Sequence, residues 1–172
     1  MMDDPENPSP IDWEGWVPQI RATLMFVVQS YDVLLIKKLR GIGAGKINGP
    51  GGKIDPGETA EQAAIRETEE ELHITPRKVR KMGELHFAMT DLPDIHCHVF
   101  MAEDHEGTAT ETEEAIPRWT RIADLPLELM WEDDKHWLPR MLEQKRTFKG
   151  HFSFEGERIR WMHLDWDVRF MG

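Results

Sequence analysis

Arg66, Glu67, Glu70 and Glu71 are the residues whose types and spacing point most directly to chemistry. On a helix of 3.6 residues per turn, Glu67, Glu70 and Glu71 share one face, with Arg66 beside them. Like charges at i,i+4 cost a helix about 0.2–0.5 kcal/mol per pair, so such a face gains from a bound cation. An all-oxygen cluster suits Mg²⁺, a hard ion that keeps several waters and bridges carboxylates to phosphates. Mn²⁺ is the alternative, since it accepts the same kind of ligand. Taken alone, the four charges read equally well as a solvated acidic stripe, and the residues around them must decide.

The pattern upstream and downstream indicates what positions these charges. A helix is expected from about Glu58 to Leu72, with Ala60, Ala63, Ala64 and Ile65 on its buried side. Before it, Arg40 to Lys53 holds Gly41, Gly43, Gly45, Gly49, Gly51 and Gly52, a loop that must bend sharply or approach something closely. Strands are expected at Ile20–Gln29 and Val33–Lys38, joined as a hairpin through Ser30-Tyr31-Asp32. Further strands fit Lys78–Met89, Asp94–Ala102 and Ile116–Ile122, with a polar loop over Thr108–Glu114. Trp137, Leu138, Met141 and Leu142 lie at helical spacing within Asp133–Lys145, and Glu155-Gly156 separates the two runs of a last hairpin. The expected architecture is α+β, a mixed sheet with two principal helices. Residues 1–18, acidic and Pro-rich, read as an irregular arm that Trp13 and Trp16 fold back onto a single domain over 19–172.

Gly52, Glu58, Arg66, Glu67, Glu70, Glu71 and Ile74 fall in register with the Nudix box, and the stretch Gly52–Ile74 resembles that signature of nucleoside diphosphate hydrolases. Seven matches at fixed spacing are far more specific than a lone glycine motif. Thr68 departs from an aliphatic residue of the pattern, and His73 stands where a glycine usually ends the helix in a left-handed conformation. Histidine tolerates positive φ at a cost of about 1 kcal/mol. The resemblance implies the Nudix fold, with the mixed sheet sandwiched between the helices. It also implies a metal held by Glu67, Glu70 and Glu71 with Gly51, and a further ligand or base, Glu114, from the loop Glu111–Glu114. Arg66 would orient a glutamate through a bidentate pair, and Glu58 would order the start of the helix.

The likeness extends over roughly Arg21 to Trp166. Gly41–Lys53, Met130–Trp137 and Phe148–Phe152 resemble segments of the animal-type MutT branch of that family, hydrolases of oxidised purine nucleoside triphosphates. Carried over, Asn48, Asp133 and Asp134 would read the purine edge and Trp131 would cover the base. Thr23, Lys38, Pro50, Gly51, Gly52 and Lys53 would complete the nucleotide site. Two adjacent carboxyls resist ionising together, so one can keep a proton and donate a hydrogen bond. The plain reading of Asp133-Asp134 is a helix N-terminus favoured by the dipole. Ile42 and Ile47 replace aromatics of that branch. The implied reaction is hydrolysis of 8-oxo-dGTP or 2-hydroxy-dATP to the monophosphate and pyrophosphate, which cleanses the nucleotide pool. Alternatives are ADP-ribose, a dinucleoside polyphosphate or an ordinary dNTP as substrate, or a non-catalytic nucleotide-binding module. Such modules usually lose a helix carboxylate, and all three are present here. Isoprenoid diphosphate isomerisation needs a cysteine in another setting than Cys97.

Composition narrows the setting. The 172 residues carry a net charge of −11, which argues against a nucleic-acid polymer as partner but not against a small nucleotide met through a cation. Apolar runs such as Leu24–Val28 are strand-sized, so no membrane span is expected, and the acidic N-terminus is not a secretory signal. A single cysteine favours a reducing, cytoplasmic location. A monomer acting on a small-molecule nucleotide is the expectation.

Overall fold

The computed structural model describes residues 2 and 4–170, and the alternation of side chains along its strands explains its layers. In β1 (Ile20–Gln29), Met25 and Val27 face one way and Phe26 the other; in β2 (Asp32–Lys38), Leu34 and Ile36 oppose Val33 and Leu35. The first set packs against α1 (Ala60–Leu72) through Ala64 and Leu72. The second packs against α2 (Asp134–Gln144) through Trp137, Leu138, Met141 and Leu142. The mixed sheet is therefore sandwiched between the two helices, as the fold class requires. Its remaining strands are β3 (Ile47–Asn48), β4 (Thr75–Met89), β5 (Ile95–Glu106), β6 (Ala115–Arg121), β7 (Phe148–Glu155) and β8 (Arg158–Trp166). The order is β3-β2-β1-β5-β4-β7-β8, with β6 on the other edge of β2; β1–β5 and β4–β7 are parallel. No helix among the described residues is long and apolar enough to cross a membrane.

The expected hairpin exists only near its turn. β1 and β2 pair at Val28–Val33 and Gln29–Asp32 and then splay apart. The glycine-rich stretch, expected as a loop, wedges into the gap. β3 pairs with Ile36 and Lys37 of β2, and residues 50–54 run along β1. There Met25 N–H donates to Pro50 O (2.8 Å), Thr23 N–H to Gly52 O (2.8 Å) and Ile54 N–H to Arg21 O (3.0 Å). Strand edges opened by the splay need partners, because buried backbone groups left unpaired are costly. The sequence pattern missed this because so few side chains in 49–53 carry a β signal.

Helix α1 starts two residues later than its charge pattern suggests. Thr59 is the N-cap: Gln62 N–H donates to Thr59 Oγ1 (3.1 Å) and Thr59 N–H to Gln62 Oε1 (2.9 Å), a reciprocal capping box. Thr68 is buried as the pattern demands, and its hydroxyl is satisfied by Ala64 O at 2.8 Å. His73 ends the helix at φ 60°, ψ 33°, and its N–H returns to Glu69 O. Helix α2 carries Pro139 inside it, where the apolar face of Trp137, Leu138, Met141 and Leu142 outweighs the lost hydrogen bond. The N-terminal residues form no helix or strand from 4 to 18, yet they pack on the sheet. Trp16 Nε1–H donates to Asp94 Oδ2 (2.9 Å), and Trp161 Nε1–H to Asn7 O (3.0 Å).

His73 sits in the left-handed region that favours glycine. His73→Gly should stabilise the protein by about 0.5–1 kcal/mol, offset in part by glycine's unfolded-state entropy. A rise in Tm of roughly 2 °C is expected in a thermal melt; an unchanged or lower Tm would show that the imidazole contributes more than the strain removes.

Candidate functional site

Arg66 is the hub that orders the acidic helix. Its Nε and Nη2 donate to the two oxygens of Glu58 at 2.7 and 2.8 Å, a bidentate pair. Nη1 reaches Glu67 Oε1 (3.0 Å) and Glu70 (3.2 Å), and Nη2 also reaches the Lys53 carbonyl (3.1 Å). The guanidinium thus ties the helix to the segment before it. Glu58 in turn accepts from Asp55 N–H at 2.9 Å, and its hydrogen bonds from Arg66 hold its carboxyl well below the usual range. The two-nitrogen partner of Arg66 is Glu58 rather than one of the helix carboxylates, and Nη1 alone serves Glu67 Oε1 and both oxygens of Glu70.

Gly51 and Gly52 let the backbone come close on both sides. A Cβ on Gly51 would lie 1.9 Å from the Thr23 carbonyl oxygen, and one on Gly52 would lie 2.4 Å from Glu67 Cδ. Gly51 N–H donates to Glu71 Oε1 at 3.0 Å, joining the glycine segment to the helix. Burial pushes the Glu71 carboxyl up to about 8 despite that hydrogen bond, and the Glu67 charge adds to the rise. Burial also raises Glu67, with Arg66 opposing it. Burial disfavours charge on both carboxyls, and the Glu67 charge adds to the cost at Glu71, a set that a cation would relieve.

Glu67, Glu71 and Glu114 line one cavity of about 370 Å³, with Lys38 and Arg40 also on its wall. Arg40 Nη2 holds Glu114 Oε1 at 3.1 Å. The donor set is all oxygen, which fits a hard divalent cation. Glu70 is more exposed and faces Arg66, and it is not on that wall. The cavity shares Lys38, Gly51, Gly52 and Glu71 with a second cleft of about 350 Å³. Asn48, Trp131, Asp133 and Asp134 line this cleft with Thr23 and Lys53, and Phe87, Met89, Ile95 and Phe154 supply apolar wall. Trp131 is half-buried and held by Lys46, whose Nζ lies 5.0 Å above its ring, and by the edge of Phe154.

Asp133 and Asp134 are both buried. The helix N-terminus expected at this pair is present, with Asp133 as the N-cap residue of α2 and Asp134 as its first residue, but the Asp133 side chain makes no cap hydrogen bond and accepts from Trp137 Nε1 at 2.9 Å instead. Asp134 Oδ2 is buried without a hydrogen-bond partner among the described residues. Burial raises both carboxyls, and the neighbouring Asp133 charge raises Asp134 further. The pair thus resists ionising together at the cleft.

The structure gathers the expected residues unevenly. Glu67, Glu71 and Glu114 meet at one cavity, and Thr23, Lys38, Asn48, Gly51, Gly52, Lys53, Trp131, Asp133 and Asp134 meet at the other. Pro50 is buried and does not line the cleft; its carbonyl serves β1. Ile42 lines the cleft, but Ile47 packs into the α2-side core, so only the first replacement faces the cleft. Arg40 and the apolar wall were not singled out by the sequence. The alternation Leu85, Phe87, Met89 against Glu84, His86 marks an apolar face on β4, but not that it faces a ligand.

The two glycines predict contrasting variants. Gly51→Ala meets rigid backbone and should cost about 1–3 kcal/mol of stability. Gly52→Ala meets only the mobile end of Glu67, so Tm should hold while turnover falls by roughly 100-fold through displacement of that carboxylate. Equal loss of stability in both variants, read by thermal melts, would contradict this.

A NUDIX domain model matches residues 18–141. The chain is 46% identical over 140 residues to a zebrafish (Danio rerio) oxidized purine nucleoside triphosphate hydrolase, covering 80% of this chain and 88% of that one. It is 41% identical over 136 residues to the mouse (Mus musculus) protein of the same name, covering 78% and 86%. The crystal structure of a MutT protein from Bacillus halodurans superposes with a TM-score of 0.75 at 28% identity, covering 85% of this chain and 97% of that one. Nudix hydrolases use divalent metal ions, in keeping with the oxygen-lined cavity on α1. With its helix carboxylates, glycine wedge and sandwiched mixed sheet in place, the chain belongs to the Nudix hydrolase family.

Proposed function

We propose that this protein hydrolyses oxidised purine (deoxy)nucleoside triphosphates, such as 8-oxo-dGTP and 2-hydroxy-dATP, to the monophosphate and pyrophosphate. It would thereby cleanse the nucleotide pool. The observation that carries the reading is the buried pair Asp133–Asp134, with one oxygen unpartnered, in a cleft continuous with the acidic cavity. A proton kept on one member would let the pair donate as well as accept, and Asn48 adds an amide donor and acceptor. That combination matches the edge of an oxidised purine, which presents donors and acceptors in altered places. The Trp131 ring covers the base.

At the other cavity, Glu67, Glu71 and Glu114 would supply the oxygens for the cation, with Glu70 and the Gly51 segment completing the set. Mg²⁺, or Mn²⁺ in its place, supplies charge neutralisation at the phosphates and lowers the pKa of a bound water. Lys38 and Arg40 stand where phosphate oxygens would enter and offset their charge. Arg66, held by Glu58, keeps the helix carboxylates from drifting as a substrate arrives. Thr23 and Lys53 position the glycine segment beside the phosphates. We take residues 19–172 as one catalytic unit with 1–18 as an arm against it, working as a monomer in the cytoplasm.

Pyrophosphate release should be fastest with 8-oxo-dGTP or 2-hydroxy-dATP in a panel that includes dGTP and ADP-ribose; ADP-ribose in the lead would sink the proposal. Glu71→Gln should lower turnover by at least 100-fold, an order-of-magnitude expectation for losing an electrostatic anchor of the transition state, with the fold intact by circular dichroism. Asp133→Asn should change the ranking of the oxidised purines more than the rate with the best of them.

The metal dependence has a pH signature. The folded pKa of Glu71 is raised to about 8, so below that pH a cation must displace a proton. Half-saturating Mg²⁺ should therefore rise as pH falls from 8, by up to about tenfold per unit. Mg²⁺ titrations of activity between about pH 6.5 and 8.5 check it; a flat half-saturation would rule it out.

A further inference from the structure

His96, His86, His151 and His163 lie side by side on β5, β4, β7 and β8, each directly opposite the next in register. They face away from the nucleotide cleft, since Phe87 and Cys97, one residue on in each strand, line it. The N-terminal arm packs over this part of the sheet. The Trp13 ring meets His151 edge-on at 4.9 Å, and Trp16 meets His86 at 5.7 Å. The His86 ring stacks on His96 at 4.5 Å and on His151 at 4.2 Å. Glu84, two residues before His86 on the same face, holds His96 Nε2 at 2.7 Å.

We propose that Glu84, His86 and His96 form a second metal site, for a divalent transition ion such as Zn²⁺, on the arm-covered face of the sheet. One ligand atom from each already lies within 4.8 Å of the others. A tetrahedral Zn²⁺ with bonds of about 2.1 Å needs them roughly 3.4 Å apart, so binding would draw the three side chains together. His86 Nδ1 lies 3.2 Å from the Gly150 carbonyl, which can only accept, so Nδ1 carries the hydrogen and Nε2 keeps its lone pair. A backbone carbonyl on the second nitrogen is the usual support of a metal-binding histidine.

The protonation states suit a cation. Burial lowers His86 to about 4, so the ring is neutral near pH 7. The His96 hydrogen bond holds the Glu84 carboxyl well below the usual range, so it is ionised. Lys81 Nζ lies 3.1 Å from Glu84 Oε2 and 2.9 Å from His98 Nδ1. It engages the other oxygen of Glu84, while Oε1 accepts from His96 Nε2; the ion would take the place of the hydrogen between these two atoms, which moves to His96 Nδ1 or to solvent. His151, beside His86, has its Nδ1 buried without a partner among the described residues, as expected where a solvent or ligand atom completes the row. Two nitrogen ligands and one carboxylate favour Zn²⁺ or Ni²⁺ over Mg²⁺, whereas the all-oxygen cavity on α1 has the opposite preference. The two faces of the sheet therefore sort two classes of ion.

The test is calorimetric titration of the tag-free full chain with Zn²⁺ in excess Mg²⁺. One equivalent should bind, and binding should raise Tm by mass action. His96→Gln, which keeps a donor for Glu84, and His86→Asn should each weaken Zn²⁺ by at least about tenfold; Glu71→Gln should leave it unchanged. Unaltered Zn²⁺ affinity in both histidine variants, or loss of the equivalent in Glu71→Gln, would overturn the proposal. Imidazole NMR of the unmodified chain gives a second reading independent of variant folding. The His86 and His96 resonances should move on adding Zn²⁺ while His136 stays, and unmoved His86 and His96 signals would also overturn it.

Discussion

The backbone at Gly51 is held between β1 and α1, close enough to Thr23 that no side chain fits, with its N–H on Glu71. Much else depends on that contact. It occupies the edge that β1 exposes when the first hairpin splays, and so keeps the sheet open there. The opening leaves room for the cleft on the α2 side. The same segment carries Gly52, whose missing side chain gives Glu67 its place, and Lys53, whose carbonyl takes a hydrogen bond from Arg66. One stretch of close-packed backbone therefore links the base cleft, the acidic cavity and the helix that serves both.

The electrostatics have a matching logic. Arg66 spreads one guanidinium over Glu58, Glu67 and Glu70, which holds these carboxylates in place. Glu71 lies deeper, out of its reach, and resists ionisation. Asp133 and Asp134 do the same at the floor of the cleft. Buried carboxyls without a cation or ligand lower the stability of the folded state, because burial penalises their charged forms. Between the ordinary carboxylate pKa and about 8, the folded chain holds more protons at Glu71 than the unfolded chain, so its metal-free stability falls as pH rises through that window. Strain of this kind concentrates where a ligand is to be bound.

The sheet separates two chemistries by simple alternation. On β4 and β5, Phe87 and Cys97 face the cleft while His86 and His96 face the arm. Cys97 is buried and its thiol is pushed up by burial, which suits a wall residue rather than a nucleophile. The arm matters for the same reason. Trp13 and Trp16 pack over a polar row.

The acidic helix was legible because its spacing is local: Glu67, Glu70 and Glu71 are neighbours on any helix, and Gly52 and Glu58 sit at fixed distances before them. The left-handed end at His73 and both core helices were legible for the same reason, since caps and apolar periodicity are short-range signals. The nucleotide-reading residues were reached through likeness to a family rather than through spacing, because Asn48 and Asp133 lie 85 positions apart. What no local pattern contained were the wedge of residues 49–54, the choice of Glu58 as partner of Arg66, and the histidine row. Each depends on strand register and on which edges remain unpaired. The sequence by itself determined the helix, its charges and the alternating strands, through interactions spanning a few residues. Only the tertiary structure decided which carboxyls are buried, which face each strand turns to the cleft, and which distant side chains meet, because those follow from long-range pairing and from the exclusion of water.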